Sequence, residues 1–236
     1  MKKQIILAAV VLISAGMLLT TGCKKEDATA PILTLNGKAT EQSILNATWT
    51  DAGATATDEE DGNLDVTVTG AVNKDLAGVY EITYSATDAA GNVGTSTRKV
   101  TVYNEAEAWA GTYPKASIVD SVFSDANHTT FQKKYTWLND CKVTASTTEN
   151  NKLIIDPFSD YSTIGASEKI YGMVTGNTIN IPSQTAHNIG KSGTETHTFQ
   201  GSGYKVTTST GFKFKLNTSD TEASIGTVYD AAWFTR

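Results

Sequence analysis

Apolar and polar residues alternate over short stretches along most of the chain beyond residue 30. Leu64, Val66 and Val68, for example, alternate with Asp and Thr. A period of two residues is typical of strands with one buried face. Asp-Gly and Gly-Asn turn sequences separate these stretches. Residues 31–103 are therefore predicted to form about seven strands in a small antiparallel sandwich.

The same alternation continues from residue 104 to residue 236, where aromatic residues are more frequent. This part holds sixteen of the twenty Phe, Trp and Tyr residues, against four in residues 31–103. Successive strands joined by short turns predict an antiparallel meander, either a calycin-like barrel or a sandwich. We expect Trp109 to close one end of this domain and its last strand to pair with its first. The predicted fold class is all-β.

The first 22 residues have a different character. A basic start, Met1-Lys2-Lys3, precedes fifteen uncharged residues, Ile5 to Leu19. This length fits the apolar region of a secretory signal and is short for a membrane helix of ~20 residues. Leu19 to Cys23 resembles the bacterial lipobox, although Thr20 stands where Leu is usual. The resemblance implies a signal peptide over residues 1–22 and a lipid on Cys23; an ordinary secretory signal or an anchor helix is the alternative.

Charged residues follow the cysteine. Lys25, Glu26 and Asp27 resemble the export signal of Bacteroidota lipoproteins. The resemblance implies a lipid anchor in the outer membrane and a protein that faces the cell exterior; a solvated tether over residues 23–30 is the alternative. Without residues 1–22 the chain keeps 17 basic and 25 acidic residues, a net charge of -8. This balance argues against a nucleic-acid partner.

Five motifs stand in order within residues 31–103, where we expect the first domain. They are Pro31–Gly37, Trp49–Ala54, Ala56–Gly62, Ala77–Tyr80 and Tyr84–Asn92. Together they resemble the bacterial surface Ig-like domain that is also found in a pesticidal crystal protein. The resemblance implies a spacer or adhesion element rather than a catalyst.

The second domain, residues 104–236, has a weaker resemblance. It begins with Trp109-Ala-Gly-Thr-Tyr113 and contains Ile181-Pro-Ser-Gln184 and Phe199-Gln-Gly-Ser-Gly203. These motifs resemble the uncharacterised C-terminal domain of Bacteroidota surface lipoproteins that carry an Ig-like module. The resemblance implies location and architecture, and no known activity.

One acidic loop suggests a metal ion. Asp58, Glu60 and Asp61 lie in one predicted loop, and Asp88 lies in a loop that the sandwich brings near. Ca²⁺ takes 6–8 oxygen ligands, which clustered carboxylates supply. The alternative is an Asp-Gly turn within a solvated acidic loop. Ca²⁺ is the one cofactor the sequence suggests.

Catalytic motifs are absent from the sequence. The chain has two cysteines and three histidines, with no His-Glu-x-x-His and no Gly-x-Ser-x-Gly. With Cys23 lipidated, Cys141 is left without a partner and is expected to be a buried thiol. We therefore predict a protein that is not an enzyme.

Aromatic side chains are the remaining functional candidates, because sugar rings stack on them. The alternative for each is a structural role in the hydrophobic core of the domain. The layout resembles accessory lipoproteins of polysaccharide-uptake systems and suggests a surface lipoprotein whose β-domain binds glycan. The alternative is a structural or adhesion lipoprotein with a protein partner and no small ligand. The candidate glycan-binding residues are Trp137, Tyr161, Tyr171, Tyr204 and Trp233.

Overall fold

Strands make up most of the structure, a computed structural model. It describes residues 26–114, 119–135, 140–156, 169–189, 195–208, 211–222 and 226–236. The fold is all-β, as the sequence predicts, and the one helical segment in these ranges is a 3-10 turn, Glu105–Trp109. None of the described helical residues forms a helix long and apolar enough to cross a membrane. The predicted signal peptide, Cys23 and Lys25 lie outside the described residues.

Three sheets account for the strands of the described residues. The orders are β1-β3-β4, β2-β7-β6-β5 and β10-β9-β17-β16-β15-β14-β13-β12-β11-β8. At one edge β2 runs parallel to β7. The strands in chain order are β1 (Ile32–Leu35), β2 (Thr40–Ile44), β3 (Ala54–Asp58), β4 (Gly62–Leu64), β5 (Thr67–Thr69), β6 (Gly78–Thr87), β7 (Val93–Tyr103), β8 (Gly111–Tyr113), β9 (Val119–Phe123), β10 (Phe131–Tyr135), β11 (Cys141–Ala145), β12 (Lys152–Asp156), β13 (Ile170–Thr175), β14 (Thr178–Ile189), β15 (Glu195–Thr208), β16 (Gly211–Glu222) and β17 (Gly226–Thr235).

Packing divides the chain into two compact units. The first unit contains the described residues up to Gly37, with Ala52–Thr69 and Thr83–Ser96. Its core includes Ala56, Tyr84 and Ala86, the last two of which are alternate residues of β6. This alternation places one face of each strand inside, as the period of two predicts.

The second unit contains Lys38–Asp51, Gly70–Ile82 and Thr97–Arg236, and with them the ten-stranded sheet. This sheet is antiparallel and curls into a half-barrel. Its last strand, β17, pairs with β9, and β8 pairs with β11 at the far edge. The expectation that the last strand of this domain pairs with its first is therefore wrong, because β17 lies between β9 and β16, whereas β8 lies at one edge of the sheet beside β11.

Aromatic side chains fill the concave core of the second unit. Phe214 stacks on Phe234 with ring centroids 4.6 Å apart, and Tyr113 meets the ring of Phe214 edge-on at 5.0 Å. Trp109, which is 1% exposed, lies 5.7 Å from Phe214. Pairs of this kind add about 0.5–1.5 kcal/mol beyond the area that they bury. The core thus depends on the aromatic residues in which this part of the sequence is rich.

Cys141 lies in this core as the sequence predicts, buried and without a disulfide. Burial raises the pKa of its thiol to about 12. A thiol in this state is neutral at physiological pH, so Cys141 is a packing residue and not a nucleophile.

The 3-10 turn that covers the core is held by Asn104. Its Oδ1 accepts hydrogen bonds from the backbone NH groups of Ala106 (2.9 Å) and Asn151 (2.8 Å). Its Nδ2 donates to the carbonyls of Ser146 and Glu149, both at 2.8 Å. One buried amide therefore fixes the turn to the loop between β11 and β12.

Candidate functional site

The register of β14 to β17 separates two kinds of side chain. Residues paired directly across antiparallel strands lie on the same face of a sheet. One row joins Ile179, Gly203, Leu216 and Ala232, and its side chains belong to the core. The neighbouring row lies on the opposite face, which we call the outer face. That row joins Asn180, Ser202, Asn217 and Ala231.

Gly203 shows why the core row is so tightly specified. A Cβ atom at this position would lie 2.0 Å from the carbonyl oxygen of Lys215 and 2.7 Å from Leu216 Cδ2. Only glycine allows β15 and β16 to approach this closely at the core. The outer-face side chains of these two strands are held correspondingly close together.

Two open depressions lie on the outer face of this sheet. The larger has a volume of 540 Å³ and the smaller 310 Å³. Asn180, Ser202 and Asn217 line both of them, so together they form one groove, which we call the outer-face groove. Its amide and hydroxyl side chains include Asn180, Ser183, Gln200, Ser202, Asn217, Thr218 and Ser219, with Thr175 and Thr178 in the smaller depression.

Asn217 lies at the point where the two depressions join. Its Oδ1 atom is buried and accepts no hydrogen bond from the residues that the structure describes. A buried polar atom without a partner costs about 1–3 kcal/mol. The Asn217 amide therefore keeps unused hydrogen-bonding capacity beside the groove.

Tyr229 closes one end of the groove. Its ring lies 6.4 Å from the ring of His128, which in turn meets Phe123 edge-on at 5.2 Å. His128 has a positive φ of 56° in the turn between β9 and β10. Such a backbone conformation is uncommon outside glycine and Asn, so the turn has a defined shape.

Asp125 stabilises this turn. Its carboxylate accepts hydrogen bonds from the backbone NH groups of Asn127, Thr129 and Thr130, at 3.0, 3.2 and 2.6 Å. Desolvation raises the pKa of Asp125, but these hydrogen bonds and those from the threonine hydroxyls outweigh it and bring the pKa to about 2. The Asp125 carboxylate is therefore ionised at neutral pH, and its hydrogen bonds stabilise the turn that carries His128.

Tyr204 lies at the other end of the outer-face groove, with Trp233 beside it. Tyr204 lines the smaller depression and is 43% exposed, and its ring meets that of Trp233 edge-on at 5.9 Å. Lys213 Nζ lies 4.3 Å from the centroid of the Trp233 ring, and Lys215 Nζ lies 5.7 Å from it. The ammonium groups of Lys213 and Lys215 therefore lie against the indole ring, which holds them in place by cation–π attraction.

The aromatic residues predicted from sequence are distributed unevenly. Tyr204 lines the groove and Trp233 adjoins it, whereas Tyr171 lies on β13 with Lys152 Nζ 4.5 Å from its ring centroid and lines neither depression. Trp137 and Tyr161 lie outside the described residues. Tyr229, Asn217 and the amide row were not predicted from the sequence, because only the pairing of four strands brings them together.

The acidic residues predicted to bind Ca²⁺ are also divided. One carboxylate oxygen each of Asp27, Asp58 and Asp88 lies within 4.8 Å of the others, while Glu60 and Asp61 are not part of this group. Asp61 instead accepts a hydrogen bond from the backbone NH of Ala89 at 2.7 Å. Asp27, which the sequence places in the predicted export signal, was not predicted to lie beside Asp58 and Asp88.

Asp88 is the buried member of this group. Burial raises its pKa, but hydrogen bonds from the Asn92 side chain and from the backbone NH groups of Asn92, Gly91 and Ala90 keep it below its ordinary value. Asp58 Oδ1 accepts from the backbone NH groups of Glu60 and Asp61. These bonds build the two loops. Cation binding at this group remains a prediction of the sequence analysis.

Comparison with known proteins identifies the first domain. Residues 33–102 match the family model of the bacterial surface protein, Ig-like domain. This match confirms the resemblance found in the five sequence motifs. No curated protein matches the chain.

Solved structures give only distant similarities. The lipoprotein BT2262 from Bacteroides thetaiotaomicron is 16% identical, with a TM-score of 0.32 over 86% of this chain and 99% of that chain. CBM51-2 with INT domains of Clostridium perfringens ZmpB, in complex with GlcNAc, is 12% identical, with a TM-score of 0.27 over 87% of this chain and 48% of that chain. TM-scores this low do not assign a fold or a function to this chain.

Proposed function

We propose that the protein is a non-catalytic lipoprotein of the outer membrane that binds extracellular glycan in the outer-face groove. In this proposal residues 1–22 are a signal peptide, Cys23 carries the lipid, and residues 23–30 are the tether. Residues 31–103 are the Ig-like spacer, and residues 104–236 are the β-domain that holds the groove. The match of residues 33–102 to a bacterial surface domain supports the location.

The observation that carries the glycan assignment is the composition of the groove. Sugars offer many hydroxyl groups and apolar ring faces, so their sites combine amide and hydroxyl side chains with aromatic rings. Amide and hydroxyl side chains line the groove along its length, with Tyr229 at one end and Tyr204 at the other. Asn217 adds a buried acceptor without a partner.

The dimensions of the groove favour a chain of sugars over a single ring. Gln200, Ser202 and Tyr204 follow one another on the outer face of β15. At about 3.3 Å per residue they span about 13 Å. The groove is open along this length, so an oligosaccharide lies along β15 and β16 with a ring near each tyrosine.

A glycan array probed with the purified full-length protein in detergent tests this assignment. Asn217→Ala is expected to reduce binding of any positive glycan about tenfold, because it removes a buried hydrogen-bond acceptor. Thr198→Ala, on the outer face but outside the groove, is the matched control and should bind as the parent does. An array without positives would contradict glycan binding and favour a protein partner.

The lipid anchor has its own test. Metabolic labelling with radioactive palmitate should label the full-length protein and should not label Cys23→Ala. Cys141→Ala is the matched control, since Cys141 is buried in the core and should leave labelling unchanged. Equal labelling of the parent and Cys23→Ala would overturn the assignment of Cys23.

A further inference from the structure

Charge is unevenly distributed between the two faces of the strands that form the groove. The chain has 25 acidic residues. The register of β15, β16 and β17 places none of them on the outer face among the described residues. Asp220 pairs with Phe199 and Asp230 pairs with Thr218, so both occupy register positions of the core face. The register positions of the outer face on these three strands therefore hold no acidic residue, although the chain as a whole is acidic.

Two lysines stand on this same face. Lys215 pairs directly with Tyr204 and with Trp233, which places it beside the groove, and Lys213 lies two residues before it on β16. Neither ammonium forms an ion pair with a carboxylate of the described residues, although both lie against the Trp233 ring. A positive patch thus adjoins the Tyr204 end of the groove.

The position of these lysines changes the role expected of Trp233. Lys213 Nζ lies 4.3 Å from the ring centroid, so the ammonium occupies a face on which a sugar would otherwise stack. The indole therefore serves as a support that keeps two positive charges at the end of the groove. Each ammonium has three N–H donors, which are suited to the oxygens of an anion.

We propose that the outer-face groove binds an anionic oligosaccharide, with an acidic group of the sugar between Lys213 and Lys215. The inference rests on the proposed function, in which Asn217 and its neighbours bind sugar hydroxyls. The acidic group is a uronic-acid carboxylate or a sulfate ester, which share the charged oxygens that lysine recognises. Because charges act over about 8 Å at physiological salt, the local patch prevails over the negative charge of the whole chain.

Calorimetric titration of the full-length protein with two matched pairs of probes tests the charge. The first pair is oligogalacturonate and its methyl ester, which differ only in the carboxylate charge. The second pair is dextran sulfate and dextran, which differ only in sulfate. We expect the charged member of at least one pair to bind about tenfold more tightly than its neutral partner, and the pair concerned identifies the acidic group.

Variants assign the effect to the two lysines. Lys213→Gln with Lys215→Gln is expected to lower binding of the charged probe to the level of the neutral one. Lys213→Arg with Lys215→Arg should keep most of the preference. Lys99→Gln, an exposed lysine of β7, is the matched control and should change nothing. Thermal unfolding of each variant identifies any loss that comes from unfolding.

The outcomes separate this inference from the proposed function. Equal binding of the charged and neutral members, unchanged in the double glutamine variant, would overturn the anionic ligand and leave glycan binding in place. Binding of charged probes that survives Asn217→Ala unchanged would show ion exchange outside the groove and would overturn the inference as well. A further expectation is that affinity falls as NaCl rises from about 50 mM to about 500 mM.

Discussion

The same four strands, β14 to β17, build two faces of opposite character in the second unit. On the core side Phe214, Leu216 and Phe234 are 1% exposed or less. On the outer side the same strands carry amides, hydroxyls and lysines around an open groove. A shift of register by one residue would exchange the two faces. Packing thus fixes the register, and the register in turn aligns the groove.

The two faces have different roles: the core face determines stability, and the outer face determines binding. Substitutions of core-face residues should lower the free energy of unfolding. They should affect ligand binding only indirectly, because the strands must pair before the outer row aligns. Groove residues should control binding with little effect on folding. Substitutions on each face therefore distinguish the two roles.

The largest effect is expected at the core face. Phe214→Ala removes a ring that packs against Phe234, Tyr113 and Trp109. Truncation of a buried Phe costs about 3–5 kcal/mol. Urea unfolding should show this loss in the free energy of unfolding. Thr198→Ala on the outer face is the control, with a change within about 0.5 kcal/mol. A loss below 1 kcal/mol for Phe214→Ala would contradict the aromatic core.

A smaller effect is expected where the 3-10 turn covers the core. Asn104→Ala leaves the NH groups of Ala106 and Asn151 and the carbonyls of Ser146 and Glu149 without their partner. We expect a loss of about 1–3 kcal/mol in the free energy of unfolding. Asn63→Ala, an exposed residue of β4, is the comparison. Equal stability of the two variants would show that Asn104 does not hold the turn.

The smallest expected effect is confined to the turn that Asp125 stabilises, and it depends on pH. Because the pKa of Asp125 is about 2 in the folded protein and about 3.9 when unfolded, its contribution is complete above pH ~4 and is lost as pH falls towards 2. The amide NMR signals of Thr129 and Thr130 should move in this window, and Asp125→Asn should abolish the movement. Signals that titrate near pH 4 instead would contradict the hydrogen-bonded turn.

Sequence alone predicted the strands and much of the core, because alternation reports which side of a strand is buried. Phe214 and Leu216 alternate with polar residues within the predicted meander of residues 104–236, and both are core residues. The sequence did not predict that Asn180, Ser202 and Asn217 form one row. Their alignment depends on the register in which β14, β15 and β16 pair, and alternation within a single strand does not reveal that register.

The same limit applies in the first unit. The sequence predicts that Asp88 approaches Asp58 from a neighbouring loop, and one carboxylate oxygen of each lies within 4.8 Å of the other. Asp27 joins them from the segment before β1. A polar tether has no periodicity from which its path can be read, so its place beside the two loops was not predictable.

Glycan binding in the outer-face groove is measured most directly by comparing the full-length protein with Asn217→Ala on one glycan array and in one unfolding experiment. We expect glycan binding to fall about tenfold. We expect the free energy of unfolding to stay within about 0.5 kcal/mol of the parent value, or to rise slightly, because a buried unpaired oxygen is removed. Unchanged binding by a variant that remains folded would contradict the assignment of the outer-face groove as the glycan site.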